Sequence, residues 1–114
     1  MATRSKKAAS GAANAEATVE GDGILAVHGV LNFDTVPDVF AKSAAWVQKS
    51  QGRITIDLKN VERADSAGLA LLVEWLQLAR RQNRELTFAN VPEQVRSLIR
   101  VNGLGQALKI NQRG

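Results

Sequence analysis

The chain has 114 residues, 45% of them hydrophobic and 23% charged, with no cysteine and a single histidine, His28. That length fits one small domain, and the hydrophobic share is that of a globular protein rather than a disordered chain. No apolar run approaches the about 18 residues needed to cross a bilayer, and the lack of cysteine removes disulfides, thiolate metal sites and thiol nucleophiles.

A cysteine-free chain also fits a reducing compartment. The 15 basic and 11 acidic residues give a net charge of +4. Residues 1–17 contribute +2 of this, from Arg4, Lys6 and Lys7 against Glu16. The remainder is nearly balanced and offers no general field for gathering nucleic acid. Residues 1–17 are rich in Ala, Ser, Lys and Gly, with no large apolar side chain after Met1. They are expected to form a disordered, solubilising basic tail, with residues 18–114 as the folded domain.

Thr18-Val19-Glu20 and Ile24–Val30 read as two strands joined by a tight turn at Gly21-Asp22-Gly23. Residues 34–49 carry Val36, Phe40, Ala44 and Val47 at helical spacing, with Thr35 as N-cap and Pro37 in the first turn. Residues 53–58 are a β-branched strand, followed by a predicted loop over Lys59–Arg63. A helix then runs from Leu69 to about Gln82, and residues 85–89 form another strand. A last helix follows Pro92, with Val95, Leu98 and Ile99 inward and Gly103 as its C-terminal cap. A short strand is possible at residues 107–110. The order predicts an α/β fold with a mixed, mostly parallel sheet that opens on a hairpin. Its helices should lie mainly on one face.

Chemistry is best placed at Asp65-Ser66-Ala67-Gly68, where the carboxyl end of a strand meets the amino end of a helix. Free backbone N–H groups and the helix dipole make such junctions the usual sites in α/β proteins. Asp65 suits the N-cap position, which leaves the Ser66 hydroxyl toward solvent, and Gly68 permits close approach of another backbone. A nucleophile elbow needs glycine where Ala64 stands, and His28 is the only candidate base. Hydrolase chemistry is therefore disfavoured. No phosphate-binding glycine loop occurs, and no cofactor is implied.

The helix after this loop is apolar on nearly all sides. Leu69, Leu72, Val73, Leu76 and Ala79 form the expected core stripe, while Leu71, Trp75 and Leu78 form a second. The second stripe meets either a neighbouring helix or a partner protein. Phe40 and Trp46 lie on the preceding helix and extend a potential hot spot. Arg80, Arg81, Arg84, Arg96 and Arg100 lack interleaved aromatics and read as a solvated face rather than a nucleic-acid site.

Val61–Leu72, reading VERADSAGLALL, resembles the STAS domain shared by sulfate transporters and anti-sigma factor antagonists. The similarity runs from about residue 18 to 110. It implies a mixed sheet with helices on one face and a non-enzymatic binding role. Two branches compete. In the STAS subunits of Mla-type phospholipid-transport ABC complexes, the loop hydroxyl and an aromatic on the first helix contact the ATPase. These positions correspond to Ser66 and Phe40. Gly68-Leu69-Ala70-Leu71-Leu72 and Leu78–Gln82 favour this branch. It implies a cytoplasmic subunit, peripheral at the inner membrane, that supports outer-membrane lipid asymmetry. In the anti-sigma factor antagonists the loop Ser is phosphorylated by a partner kinase, but Ala67 stands where those loops usually carry Ser or Thr. The resemblance thus places partner binding or phosphorylation at Asp65, Ser66, Ala67, Gly68, Leu71, Trp75 and Phe40.

Overall fold

The computed structural model describes residues 14–108. Its elements are β1 (Ala15–Gly21), β2 (Ile24–Leu31), α1 (Val36–Lys49), β3 (Ile54–Ala64), α2 (Ser66–Arg81), β4 (Leu86–Ala89), α3 (Glu93–Val101) and α4 (Gly105–Leu108). The strands lie side by side in chain order. β1 and β2 are antiparallel, whereas β2–β3 and β3–β4 are parallel. The mixed sheet expected from the alternation of strands and helices is the sheet observed. β1 begins at Ala15, three residues earlier than predicted, with Ala15 opposite Gly29 and Ala17 opposite Val27.

The largest departure is β3. It runs eleven residues, through the stretch expected to be a loop. Its buried residues are Ile54, Ile56, Leu58, Val61 and Ala64, so the spacing of two lengthens to three after Leu58 and again after Val61. The register with β2 shifts at both places: Ala26 faces Asp57 but His28 faces Asn60, and Gly29 faces Val61 but Val30 faces Arg63. Each shift is a β-bulge, in which an extra residue keeps the apolar side chains on one face. The polar pairs Lys59-Asn60 and Glu62-Arg63 look like loop because they fall at these bulges.

Gly29 carries a related constraint. Its φ of +102° and the passage of the Asn14 and Ala15 backbone over it leave no room for a side chain. The Val30 N–H donates to the Asn14 carbonyl at 2.9 Å, closing the start of β1 onto β2.

The core lies between one sheet face and the helices. On β2 it takes Leu25, Val27 and Leu31. On α1 the innermost residues are Val39, Ser43 and Val47. The predicted α1 stripe is thus rotated by part of a turn: Val36, Phe40 and Ala44 flank it, half-buried. Ser43 explains the rotation, because a polar residue on a core face is not expected from hydropathy. Its hydroxyl donates to the Val39 carbonyl at 2.8 Å and accepts the Trp75 indole N–H at 2.8 Å.

Trp75 is 0% exposed and Leu71 1%, so the second apolar stripe of α2 is internal. α2 packs against α1 on one side and against α3 and α4 on another, making it the centre of the helical layer. α3 buries Val95 and Ile99, with Leu98 at the margin. It closes as predicted at Gly103, whose N–H reaches the Arg100 carbonyl at 2.9 Å.

The possible strand at residues 107–110 is not formed over 107–108, which belong to α4. The Leu108 N–H turns back to the Leu104 carbonyl at 2.9 Å, which buries the Leu108 side chain. Residues 109–110 lie outside the described residues.

Removing the Ser43 hydroxyl strands the Trp75 N–H in an apolar interior. Ser43→Ala is expected to cost about 1–3 kcal/mol, measured by denaturant unfolding. Adding Trp75→Phe, which removes the stranded donor, should cost less in the Ser43→Ala background than in the wild type.

Candidate functional site

β2 and β3 end side by side, with Leu31 opposite Ala64. The Asp65 N–H donates to the Leu31 carbonyl at 3.1 Å, which carries the pairing one residue past the strand. From the other side the Gln94 side chain clamps Ala64. The Ala64 N–H donates to Gln94 Oε1 at 2.8 Å, and Gln94 Nε2 donates to the Ala64 carbonyl at 2.9 Å. The strand end that launches the loop is therefore fixed by β2 and α3 together.

Asp65 then caps α2 as the sequence requires. Its Oδ1 accepts the N–H groups of Ala67 at 2.8 Å and Gly68 at 3.3 Å, satisfying two of the donors a helix start leaves open. Ser66 follows in the first turn and is exposed. Gly68 is buried. A Cβ placed on it would lie 2.8 Å from Ala64 Cβ, 2.9 Å from Leu31 Cβ and 3.0 Å from the Leu31 carbonyl oxygen. The close approach anticipated at Gly68 is thus to β2 and β3 of the same domain.

The β2–α1 loop lies at the same sheet end, and its side chains hold it rigidly. Asn32 Oδ1 accepts the N–H groups of Asp34 at 2.9 Å and Thr35 at 3.1 Å. Thr35 Oγ1 accepts the Asn32 N–H at 3.0 Å and donates to the Val30 carbonyl at 2.7 Å. Thr35 therefore locks the loop instead of bonding to the α1 amides as a side-chain cap. The result is an Asx turn that leaves Phe33 74% exposed. Phe40 sits in the second turn of α1, half-buried against the core.

Among the expected site residues, Asp65, Ser66, Ala67 and Phe40 keep at least part of their surface at this end. Leu71, Trp75 and Gly68 do not. All three are buried within the domain, where they hold α2 to α1 and to the strand ends, so none offers a surface to a partner. Three features were missed. Gln94 gives no signal in sequence, since its role depends on a contact thirty residues distant. Asn32-Phe33-Asp34-Thr35 did carry one, as an Asx-turn pattern framing an aromatic. Ala70 is exposed one turn after Ser66, leaving the α2 surface low and smooth there.

The arrangement does not assemble a serine nucleophile with a base. His28 lies on the sheet face away from the helices, where its Nε2 stands 3.8 Å from Glu16 Oε1 across the strand pair. Asp57 lies on that face also. Partial burial pushes its carboxyl up, but the Lys59 N–H at 3.0 Å, the Asn90 amide at 3.1 Å and the Lys59 ammonium outweigh this. The balance holds Asp57 below the usual carboxylate value, fitting a tie between β3 and the turn after β4. Among the described residues no group of three or more His, Asp or Glu side chains stands close enough to hold a metal ion. No helix among them is long and apolar enough to cross a membrane.

Gly68→Ala is expected to destabilise the domain by about 1–3 kcal/mol through overpacking against Leu31 and Ala64. Asp65→Ala should cost about 0.5–2 kcal/mol through the lost cap. Ser66→Ala, at an exposed position, should leave the midpoint of thermal unfolding within about a degree or two.

The family model described as "Mlab, STAS domain" matches residues 14–110. The intermembrane phospholipid transport system binding protein MlaB of Escherichia coli is 32% identical over 80 residues, covering 70% of this chain and 79% of that protein. The anti-sigma-B factor antagonist of Staphylococcus aureus is 29% identical over 86 residues, covering 75% of this chain and 80% of the relative. Among solved structures, an anti-sigma factor antagonist from Mycobacterium paratuberculosis superposes with a TM-score of 0.70 at 22% identity, covering 85% of this chain and 83% of that one. Unphosphorylated SpoIIAA gives 0.64 at 18% identity, covering 79% and 81%. These likenesses confirm the fold, and the match to the family model spans every strand and helix described above: the chain belongs to the STAS domain family.

Proposed function

We propose that this chain is a non-enzymatic STAS subunit that docks on the ATPase of a phospholipid-transport ABC transporter. It would support that ATPase from the cytoplasmic face of the inner membrane, in a system that maintains outer-membrane lipid asymmetry. One observation carries the docking surface. An exposed Ser66 stands on a rigidly seated helix start, and the half-buried Phe40 and exposed Phe33 belong to elements that begin at the same sheet end. Aromatic side chains are enriched at protein–protein interfaces, and Phe33 and Phe40 give this end of the domain that character. The 32% identity to MlaB, named for phospholipid transport, supports the choice of partner. In this reading any influence on ATP hydrolysis is allosteric.

A second reading makes the chain an anti-sigma factor antagonist switched by a kinase at Ser66. The Staphylococcus aureus relative favours it, and the exposed hydroxyl is accessible. Both readings use the same surface and differ in who meets it.

Tagged protein recovered from native membranes separates them. Wild type should bring down an ABC ATPase together with its permease. Ser66→Asp and Phe40→Ala should each lower recovery about tenfold or more, with folding checked by circular dichroism. Recovery of a soluble anti-sigma kinase, with no transporter subunit, would overturn the docking proposal and assign Ser66 as a switch.

A further inference from the structure

At the pole of α2 opposite Ser66, the chain leaves the helix, turns through Asn83 and enters β4. Asn83 adopts a left-handed φ of +57°, and the Arg84 N–H returns to the Ala79 carbonyl at 2.9 Å. This fixed turn walls a pocket of about 300 Å³, lined by Leu76, Arg80, Asn83, Arg84, Glu85 and Leu86.

Arg84 is anomalous there. Its Nη1 is sealed from solvent and has no hydrogen-bond partner. A guanidinium is always charged, and drawing part of it out of water is costly unless an anion stands near to balance that charge. Glu85, the acid on the same wall, is turned to Arg53, with Oε1 3.6 Å from Arg53 Nε. The remainder of Arg84 is only half-buried and lines the pocket, so its delocalised charge is reachable from that side. Arg80 adds a second guanidinium, and Leu76 and Leu86 supply an apolar wall.

We propose that this pocket is a binding site for a phosphate monoester, its dianionic head on Arg80 and Arg84 and its organic part against Leu76 and Leu86. Two guanidiniums match the charge of about −2 on a monoester, and their planar forks suit phosphate oxygens. The volume exceeds what a bare oxyanion fills. The site is independent of the Ser66 surface and of the partner that surface meets.

The test is an amide-resolved NMR titration of the full chain with glycerol 3-phosphate, inorganic phosphate and acetate, each against sodium chloride of matched ionic strength. Glycerol 3-phosphate should give saturable shifts centred on residues 83–86. Its affinity should fall about tenfold or more in Arg84→Gln and in Arg80→Gln, and stay unchanged in Arg100→Gln. Arg80 is exposed, so its variant reads the site even if the Arg84 variant is poorly folded. Tighter binding of glycerol 3-phosphate than of inorganic phosphate confirms the ester. Equal binding of the two, equal binding of acetate, or shifts abolished by matched salt would each overturn the proposal.

Discussion

The seating of the α2 amino terminus against the ends of β2 and β3 is the constraint on which the rest of the domain depends. At Gly68 the helix comes so close to Leu31 and Ala64 that no side chain fits between them. For Ala64 to stand there, β3 must run its full eleven residues beside β2, and two bulges keep its apolar residues inward along the way. Gln94 then holds the strand end through both peptide groups of Ala64, tying α3 to the same point. Local capping by Asp65 completes the junction but does not position it. Tertiary closeness sets where Ser66 lies, and the cap sets which way the chain leaves.

That seating also makes α2 the axis of the helical layer. With its start fixed on the sheet, its flanks are covered by α1 on one side and by α3 and α4 on another, so it is apolar nearly all round. The buried polar contact from Trp75 to Ser43 pins the rotation of α1 about its own axis and thereby sets Phe40 at the margin. At 1.5 Å per residue a sixteen-residue helix is about 24 Å long. Its two poles are therefore separate places, one bearing a hydroxyl among small and aromatic residues, the other bearing arginines.

Much of this was legible in the sequence, because the signals were local. The Asp65 cap, the exposed Ser66, the Gly103 stop and the alternation of strands and helices all follow from spacing and residue type, and the structure agrees. What the sequence concealed depends on partners distant along the chain. Lys59-Asn60 and Glu62-Arg63 are loop-like residues in a strand, tolerated because bulges turn them to solvent. Ser43 on a core face makes sense only with the Trp75 indole thirty-two residues away. The apolar excess of α2 demands a cover. Periodicity alone could not say whether the cover came from this chain, and the burial of Leu71 and Trp75 shows that it does.

The same geometry bears on what a charge at Ser66 would do. The Ala67 and Gly68 amides, which an anion at a helix start would ordinarily use, are already taken by Asp65 Oδ1. A phosphate on Ser66 would add about −1.5 to −2 charge next to that carboxylate, partly offset by the helix dipole. Because Ser66 is exposed, the added group would remain in water and leave the packing at Gly68 untouched. Its effect would fall on whatever approaches across Ala67, Ala70 and Phe40, where an apolar or acidic surface would lose contact and desolvate charge. Under the proposed docking, chemistry at Ser66 would therefore act on the partner and not on the fold. A fixed dock and a phosphorylation switch are two uses of that single property, and the identity of the surface opposite Ser66 decides between them.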